Sequence, residues 1–187
     1  MICIGIHGPD GSGKSTVAAI IEQHCMLKNV PVLVLPFAKP LKDYARMLGW
    51  NGEKDAKGRR LLRLLGTECG RECIDTDLWV KKWAKMANDF GQQYVDCVVI
   101  SDDMRFFNEY IEIRKQPISI TIKLKGRGTR LKGPLSSLRY WVMQKLGLLH
   151  RSEKQLPDYM FEHVIHNVGS HAMLRTDVIL ALARKGL

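Results

Sequence analysis

The run Gly8-Pro9-Asp10-Gly11-Ser12-Gly13-Lys14-Ser15 constrains this chain more than any other segment. A glycine, four residues and then Gly-Lys-Ser is the pattern of a phosphate-binding loop. Its glycines let the backbone curl until successive N–H groups face inward on an anion. In such a loop Lys14 reaches the β- and γ-phosphates and the Ser15 hydroxyl holds Mg²⁺. The flanks agree with this reading. Ile2 to Ile6 is apolar and partly β-branched, like a buried strand, and Ser15 to Lys28 places Val17, Ala18, Ile21 and Cys25 on one helical face. A strand, a Gly-rich turn and a helix N-terminus together make an anion site, because free N–H groups and the helix dipole point at the ligand. The pattern predicts a nucleoside triphosphate held by Gly8, Asp10, Gly11, Ser12, Gly13, Lys14, Ser15 and Thr16.

Strands alternate with helices along the rest of the chain. Val30–Leu35, Val95–Ile100, Ile118–Leu124 and His163–His166 read as further strands. Helices are expected over Leu41–Leu48, Arg60–Leu65, Leu78–Phe90, Asn108–Lys115, Ser136–Leu146 and Ala172–Lys185. Asn51–Gly58 and Gly126–Gly133 read as loops. Gly66 is expected to end one helix and Gly91 to break another, with Asp75 and Asp77 capping the helix from Leu78. Trp79, Trp83 and Met86 fall at helical spacing and belong in the core. This alternation predicts an α/β fold, a five-stranded parallel sheet covered on both faces. At 187 residues it is expected to be one domain.

Composition narrows the chemistry. No apolar run approaches a membrane span of about 20 residues, and Met1-Ile2-Cys3-Ile4 lacks the basic region of a signal peptide. Five cysteines, an odd number, are scattered along the chain; three fall in apolar strand or helix contexts and read as buried thiols, and a reducing, cytoplasmic setting is expected. Cys69 and Cys73 have no second pair to complete a zinc site, and a strand sends His163 and His166 to opposite faces. The net charge is +10, and Lys123 to Arg151 holds eight Lys or Arg with no acid. Such a stretch attracts anions, including nucleotides and nucleic acid. Tyr140 and Trp141 are the only aromatics in it, too few for the base-stacking pattern of a single-strand binder.

A phosphoryl-transfer site needs a carboxylate near the metal, usually at the carboxyl end of a neighbouring strand. Val98-Val99-Ile100-Ser101-Asp102-Asp103 offers Asp102 or Asp103, each also a possible helix cap. Arg105 follows and could grip a phosphate with its planar fork.

Four further segments carry a family resemblance. Phe37-Ala38-Lys39-Pro40-Leu41-Lys42, then Leu65-Gly66-Thr67-Glu68 with Arg71, Asp75 and Trp79, then Asp103-Met104-Arg105-Phe106 with Asn108-Glu109, and finally His150-Arg151-Ser152-Glu153 occur in that order. Together with the phosphate loop they resemble the bacteriophage-type deoxynucleoside monophosphate kinases. The resemblance implies a nucleoside monophosphate kinase fold in residues 1–187, with a monophosphate-binding region at about 37–79 and a lid at about 126–151. It implies transfer of the ATP γ-phosphoryl group to a dNMP with Mg²⁺, supplying DNA precursors in a host cytoplasm; a homodimer is compatible with the sequence. Lys14, Asp103, Arg105, Arg127, Arg130 and Arg151 become the catalytic candidates. Lys42, Arg71, Arg105 and Glu109 become substrate-binding candidates, and Ser15, Asp102 and Asp103 metal-binding ones. Asp103 is the carboxylate that matches the family motif. The chain's lid is long for the family. The loop itself resembles that of thymidylate kinases, where an acidic residue lies near the acceptor sugar. Asp10 is either that contact or a Pro-Asp-Gly turn residue. Two rivals share some of these features: a kinase of another phosphorylated acceptor such as phosphomevalonate, and a nucleotide-dependent nucleic-acid-binding protein.

Overall fold

The computed structural model describes residues 1–53, 55–126 and 156–187. The expected helix over 136–146, the basic candidates Arg127, Arg130 and Arg151, and Tyr140 and Trp141 lie outside them. β1 (Ile2–His7) is the central strand of a five-stranded sheet. It pairs in parallel with β3 (Val98–Met104) on one side and β4 (Ile118–Lys125) on the other. β2 (Val32–Val34) and β5 (His163–His166) form the edges, giving the order β2-β3-β1-β4-β5, all parallel.

Both faces of the sheet are covered, as continuous apolar strands demand. On one face Ile4, Ile6, Val98, Ile100, Ile120 and Ile122 pack with α1 (Lys14–Leu27) and α6 (His171–Ala183), through Val17, Ile21, Leu174, Val178 and Leu182. On the other, Cys3, Val99 and Met104 pack with α4 (Leu78–Gln93) and α5 (Phe107–Arg114), through Val80, Trp83 and Ile113. Trp83 is fully buried, and its indole N–H donates to Leu35 O at 2.7 Å, so the large ring enters the core without an orphan donor.

β3 differs from its expectation. Val95 is exposed, and the strand begins at Val98 and runs through Asp102 and Asp103 to Met104. The ladder to β1 shifts between Gly5↔Ser101 and His7↔Met104, so three steps on β3 face two on β1. This is a bulge located at the two aspartates.

The region between β2 and α4 differs more. Helix α2 spans Ala38–Met47 and α3 spans Ala56–Arg63, beginning inside the expected loop. A π-helix, Leu64–Ile74, continues α3 directly through Gly66 and Gly70. Neither glycine ends a helix. A Cβ on Gly66 would lie 3.0 Å from Leu41 Cδ2, and one on Gly70 would lie 2.7 Å from Trp79 Nε1. These glycines serve close packing. Gly91 likewise sits inside α4 against Met1 Sδ. Asp77 stands at the start of α4 but makes no cap bond through its side chain, which instead accepts from Asn108 Nδ2 at 2.8 Å.

At the far end of β4, Lys123 and Lys125 both pair with Asp158 of a short 3₁₀ turn (Asp158–Met160). Hydrogen bonds from Lys125 and Lys123 hold the Asp158 carboxyl down at about 2.

Candidate active site

The loop Gly8–Ser15 closes the carboxyl end of β1 and opens α1. Gly11 and Gly13 adopt φ of 76° and 95°, a conformation that side chains with a Cβ rarely take, and this produces the curl. Gly13 stands at the N-cap of α1, where no side chain caps the helix and no acid lies in the first turn. The leading N–H groups are therefore left for a ligand. Lys14 folds back, donating from Nζ to Gly8 O at 2.8 Å and Pro9 O at 2.9 Å. Burial pulls its pKa below the ordinary lysine value, opposed by Asp10, Asp102 and Asp103. Thr16 follows, exposed on the first turn of α1.

Asp102 and Asp103 are consecutive, and they face different partners. The Asp102 carboxylate accepts from the Ser15 hydroxyl at 2.9 Å. The Asp103 carboxylate accepts the backbone N–H groups of Phe37 and Ala38, at 2.7 and 3.0 Å, where α2 begins. Burial pushes the Asp103 carboxyl above the usual carboxylate range against those two bonds, and Lys42 on α2 adds a nearby positive charge. Asp102 thus sits with the phosphate loop, while Asp103 ties the end of β3 to α2.

The arginines also divide. Arg105 is part-exposed, and its Nη2 lies 3.0 Å from Asp10 Oδ1 on the phosphate loop. Arg71 projects from the π-helix and is nearly buried. It donates to Gly66 O at 3.1 Å and to Glu109 Oε1 at 2.9 Å, and its guanidinium lies 4.1 Å from the centre of the Phe106 ring. Arg71 Nε is buried without a partner among the described residues. Glu109 also accepts the backbone N–H groups of Arg105 and Phe106, at 2.7 and 3.1 Å, folding back onto the start of α5 as in half a capping box. Burial, with Asp103 nearby, pushes Glu109 up to about 7. It is a bracket: one carboxyl fixes the side chain of Arg71 and the backbone of Arg105.

One contact had no signature in the sequence. Asn167, just after β5, donates from Nδ2 to Ser12 O of the loop at 2.8 Å. A lone Asn in Asn-Val-Gly reads as a turn residue, and nothing local tells where it reaches.

Among the described residues no group of three or more His, Cys, Asp or Glu could hold a metal ion. Ser15 and Asp102 do fit Mg²⁺. They are hard oxygen donors, side by side at the mouth of the loop, and Mg²⁺ commonly takes one or two such ligands beside substrate phosphates and water. The assembled parts are a curled anion cradle, a lysine against it, a hydroxyl–carboxylate pair at its edge and Arg105 reaching its outer rim.

Solved structures share this architecture. An APS kinase of Mycobacterium tuberculosis matches with a TM-score of 0.53 at 12% identity, covering 97% of this chain and 96% of that one. The chain has a P-loop kinase fold. TT1252 of Thermus thermophilus matches with a TM-score of 0.52 at 25% identity, covering 98% of this chain and 95% of that one. The APS kinase has also been solved in complex with AMPPNP and APS, and that structure matches with a TM-score of 0.51 at 14% identity, covering 97% and 96%. No protein-family model and no curated protein matches the sequence. Among the described residues no helix is long and apolar enough to cross a membrane.

Proposed function

We propose that this P-loop kinase fold is a deoxynucleoside monophosphate kinase, moving the γ-phosphoryl group of ATP to a dNMP to give ADP and a dNDP. The observation that carries the reading is the 3.0 Å link between Arg105 and Asp10. It brings a phosphate-gripping side chain from the end of β3 to the rim of the phosphate loop, so that two anions could be held on adjoining ground. The ordered segments from Phe37 to Glu109 that resemble the family supply the acceptor's identity.

In this reading the loop N–H groups and Lys14 take the phosphates of ATP. Ser15 and Asp102 would hold Mg²⁺, which would supply charge neutralisation at the transferring group. This reassigns the metal carboxylate from Asp103, the motif match, to Asp102. Arg105 exchanges Asp10 for the acceptor phosphate, and Asp10 is freed toward the deoxyribose. Arg71, fixed by Glu109, presents its remaining N–H groups, and Lys42 adds charge. An acceptor phosphate oxygen attacks the γ-phosphorus as the bond to the β–γ bridging oxygen breaks, and that oxygen leaves with ADP. Such transfer asks mainly for positioning and charge stabilisation.

The test is ADP release with Mg-ATP against a panel of dNMPs, NMPs and phosphomevalonate, beside a DNA-binding titration. Higher kcat/KM on dNMPs than on the matching NMPs is expected. Turnover confined to another phosphorylated acceptor, or DNA binding that survives physiological salt with no turnover, would overturn the proposal.

A further inference from the structure

Among the described residues Asn167 makes no hydrogen bond to Lys14, Asp102 or Asp103, yet it is fixed at both ends. Its backbone N–H donates to Lys125 O at the end of β4 at 2.7 Å, and its side chain donates to Ser12 O at 2.8 Å. It also fits closely over the next residue of the loop, since a Cβ on Gly13 would fall 2.6 Å from Nδ2.

Ser12 O belongs to the peptide that links Ser12 to Gly13. That unit is planar and trans, so its carbonyl and its N–H point in opposite directions. A donor fixed behind the carbonyl therefore fixes where the Gly13 N–H aims in front. Gly13, at φ 95°, has no Cβ to restrain its backbone, so an external hold matters most there. Without one, the peptide could flip, and a ligand would bear the ordering entropy on binding. The loop's own hold on this turn is modest: the Ser12 N–H reaches Pro9 O at 3.2 Å, and Ser12 Oγ is buried without a partner among the described residues.

We propose that Asn167 is a positioning residue for the phosphate cradle, holding the Ser12–Gly13 peptide with its N–H toward the polyphosphate. Affinity for donor phosphates is then set partly by the turn between β5 and α6, more than 150 residues from the loop in sequence. This rests on the reading that the loop binds a nucleoside triphosphate.

The experiment uses inorganic tripolyphosphate and ATP, each with Mg²⁺, in calorimetric titrations of the wild-type chain, Asn167→Ala and Asn167→Asp. The isosteric Asp cannot donate to Ser12 O. Loss of one donor that orders the cradle should weaken both probes by a similar factor, about tenfold. In turnover, KM for ATP rises while KM for the acceptor does not. If the wild-type chain binds neither probe, the loop reading itself fails. If it binds both and the variants bind tripolyphosphate equally well, the role of Asn167 falls while the loop reading stands. Weakened ATP with unchanged tripolyphosphate would overturn it as well, because Asn167 would then act on the nucleoside. A measurement on the wild-type chain guards against variants that do not fold. The Asn167 side-chain amide should exchange slowly in NMR without ligand and shift on adding tripolyphosphate, and rapid exchange would overturn the proposal.

Discussion

Asp103 and Asp102 make a crossed test of the site. Replacing Asp103 by Ala removes the acceptor of two backbone N–H groups, at 2.7 and 3.0 Å. Bonds to a charged acceptor contribute about 1.5–3 kcal/mol each, so the gross loss is about 3–6 kcal/mol. Part returns, because burial already disfavours the Asp103 charge. A net loss of about 2–4 kcal/mol lowers Tm by roughly 5–15 °C for a chain of this size. Asp102→Ala loses a hydrogen bond from an exposed hydroxyl, worth under about 1 kcal/mol, and Tm should barely move. Activity should run the other way. At permissive temperature Asp103→Ala keeps measurable ADP release, whereas Asp102→Ala loses about 100-fold or more in kcat, the scale of one group that stabilises transition-state charge. Thermal unfolding by circular dichroism and the coupled ADP assay read the two axes. An Asp103→Ala protein that melts like the wild type but is inactive, beside an active Asp102→Ala, would refute the assignment.

Lys14→Ala should lower kcat by about 100-fold or more with the fold intact, since among the described residues its hydrogen bonds run only to Gly8 O and Pro9 O; near-wild-type turnover with matching circular dichroism counts against the loop as a kinase site. Glu109 has a folded pKa raised from 4.5 to about 7, so its contribution to stability is present below about pH 4.5 and is lost as pH rises through about 7. Denaturant titrations from pH 4.5 to 8 should show that decline, and Glu109→Gln should flatten it; an equal slope in both chains would exclude Glu109 as its source. Trp79→Phe removes a buried indole N–H that donates to Gly66 O at 2.8 Å, a carbonyl it shares with Arg71. It should cost about 1–2 kcal/mol in urea unfolding, and it should raise KM for the acceptor more than KM for ATP; an effect on ATP alone would contradict the placement of Arg71.

The parts legible in the sequence are those whose cause is local. The phosphate loop, its strand and its helix follow from glycine positions and apolar periodicity within residues 2–28. The remaining parallel strands follow from runs such as Ile118–Leu124. What misled were residues whose reason lies elsewhere in the chain. Gly66 and Gly91 read as punctuation because the side chains that require them, Leu41 and Met1, are distant in sequence. Asp77 read as a cap because Asn108 could not be seen beside it. The pair Asp102-Asp103 was found, but which one faces Ser15 depends on strand pairing, and pairing is a property of two segments at once.

The extra residue in β3 has a consequence of parity. In an unbroken strand, side chains an odd number of steps apart stand on opposite faces. Val99 and Met104 are five apart and yet share one cluster, because the bulge at Asp102 and Asp103 inserts one step. Every residue beyond it, Arg105 included, is one step out of phase with the strand before it. Shortening β3 by one residue there would restore a regular ladder that the sheet could readily accept. It would also leave a single aspartate where two serve different partners, although Met104, then four residues from Val99, would keep its face and its place opposite His7. Chain length at this point is thus fixed by the chemistry at the strand's end, while the sheet alone would tolerate either count.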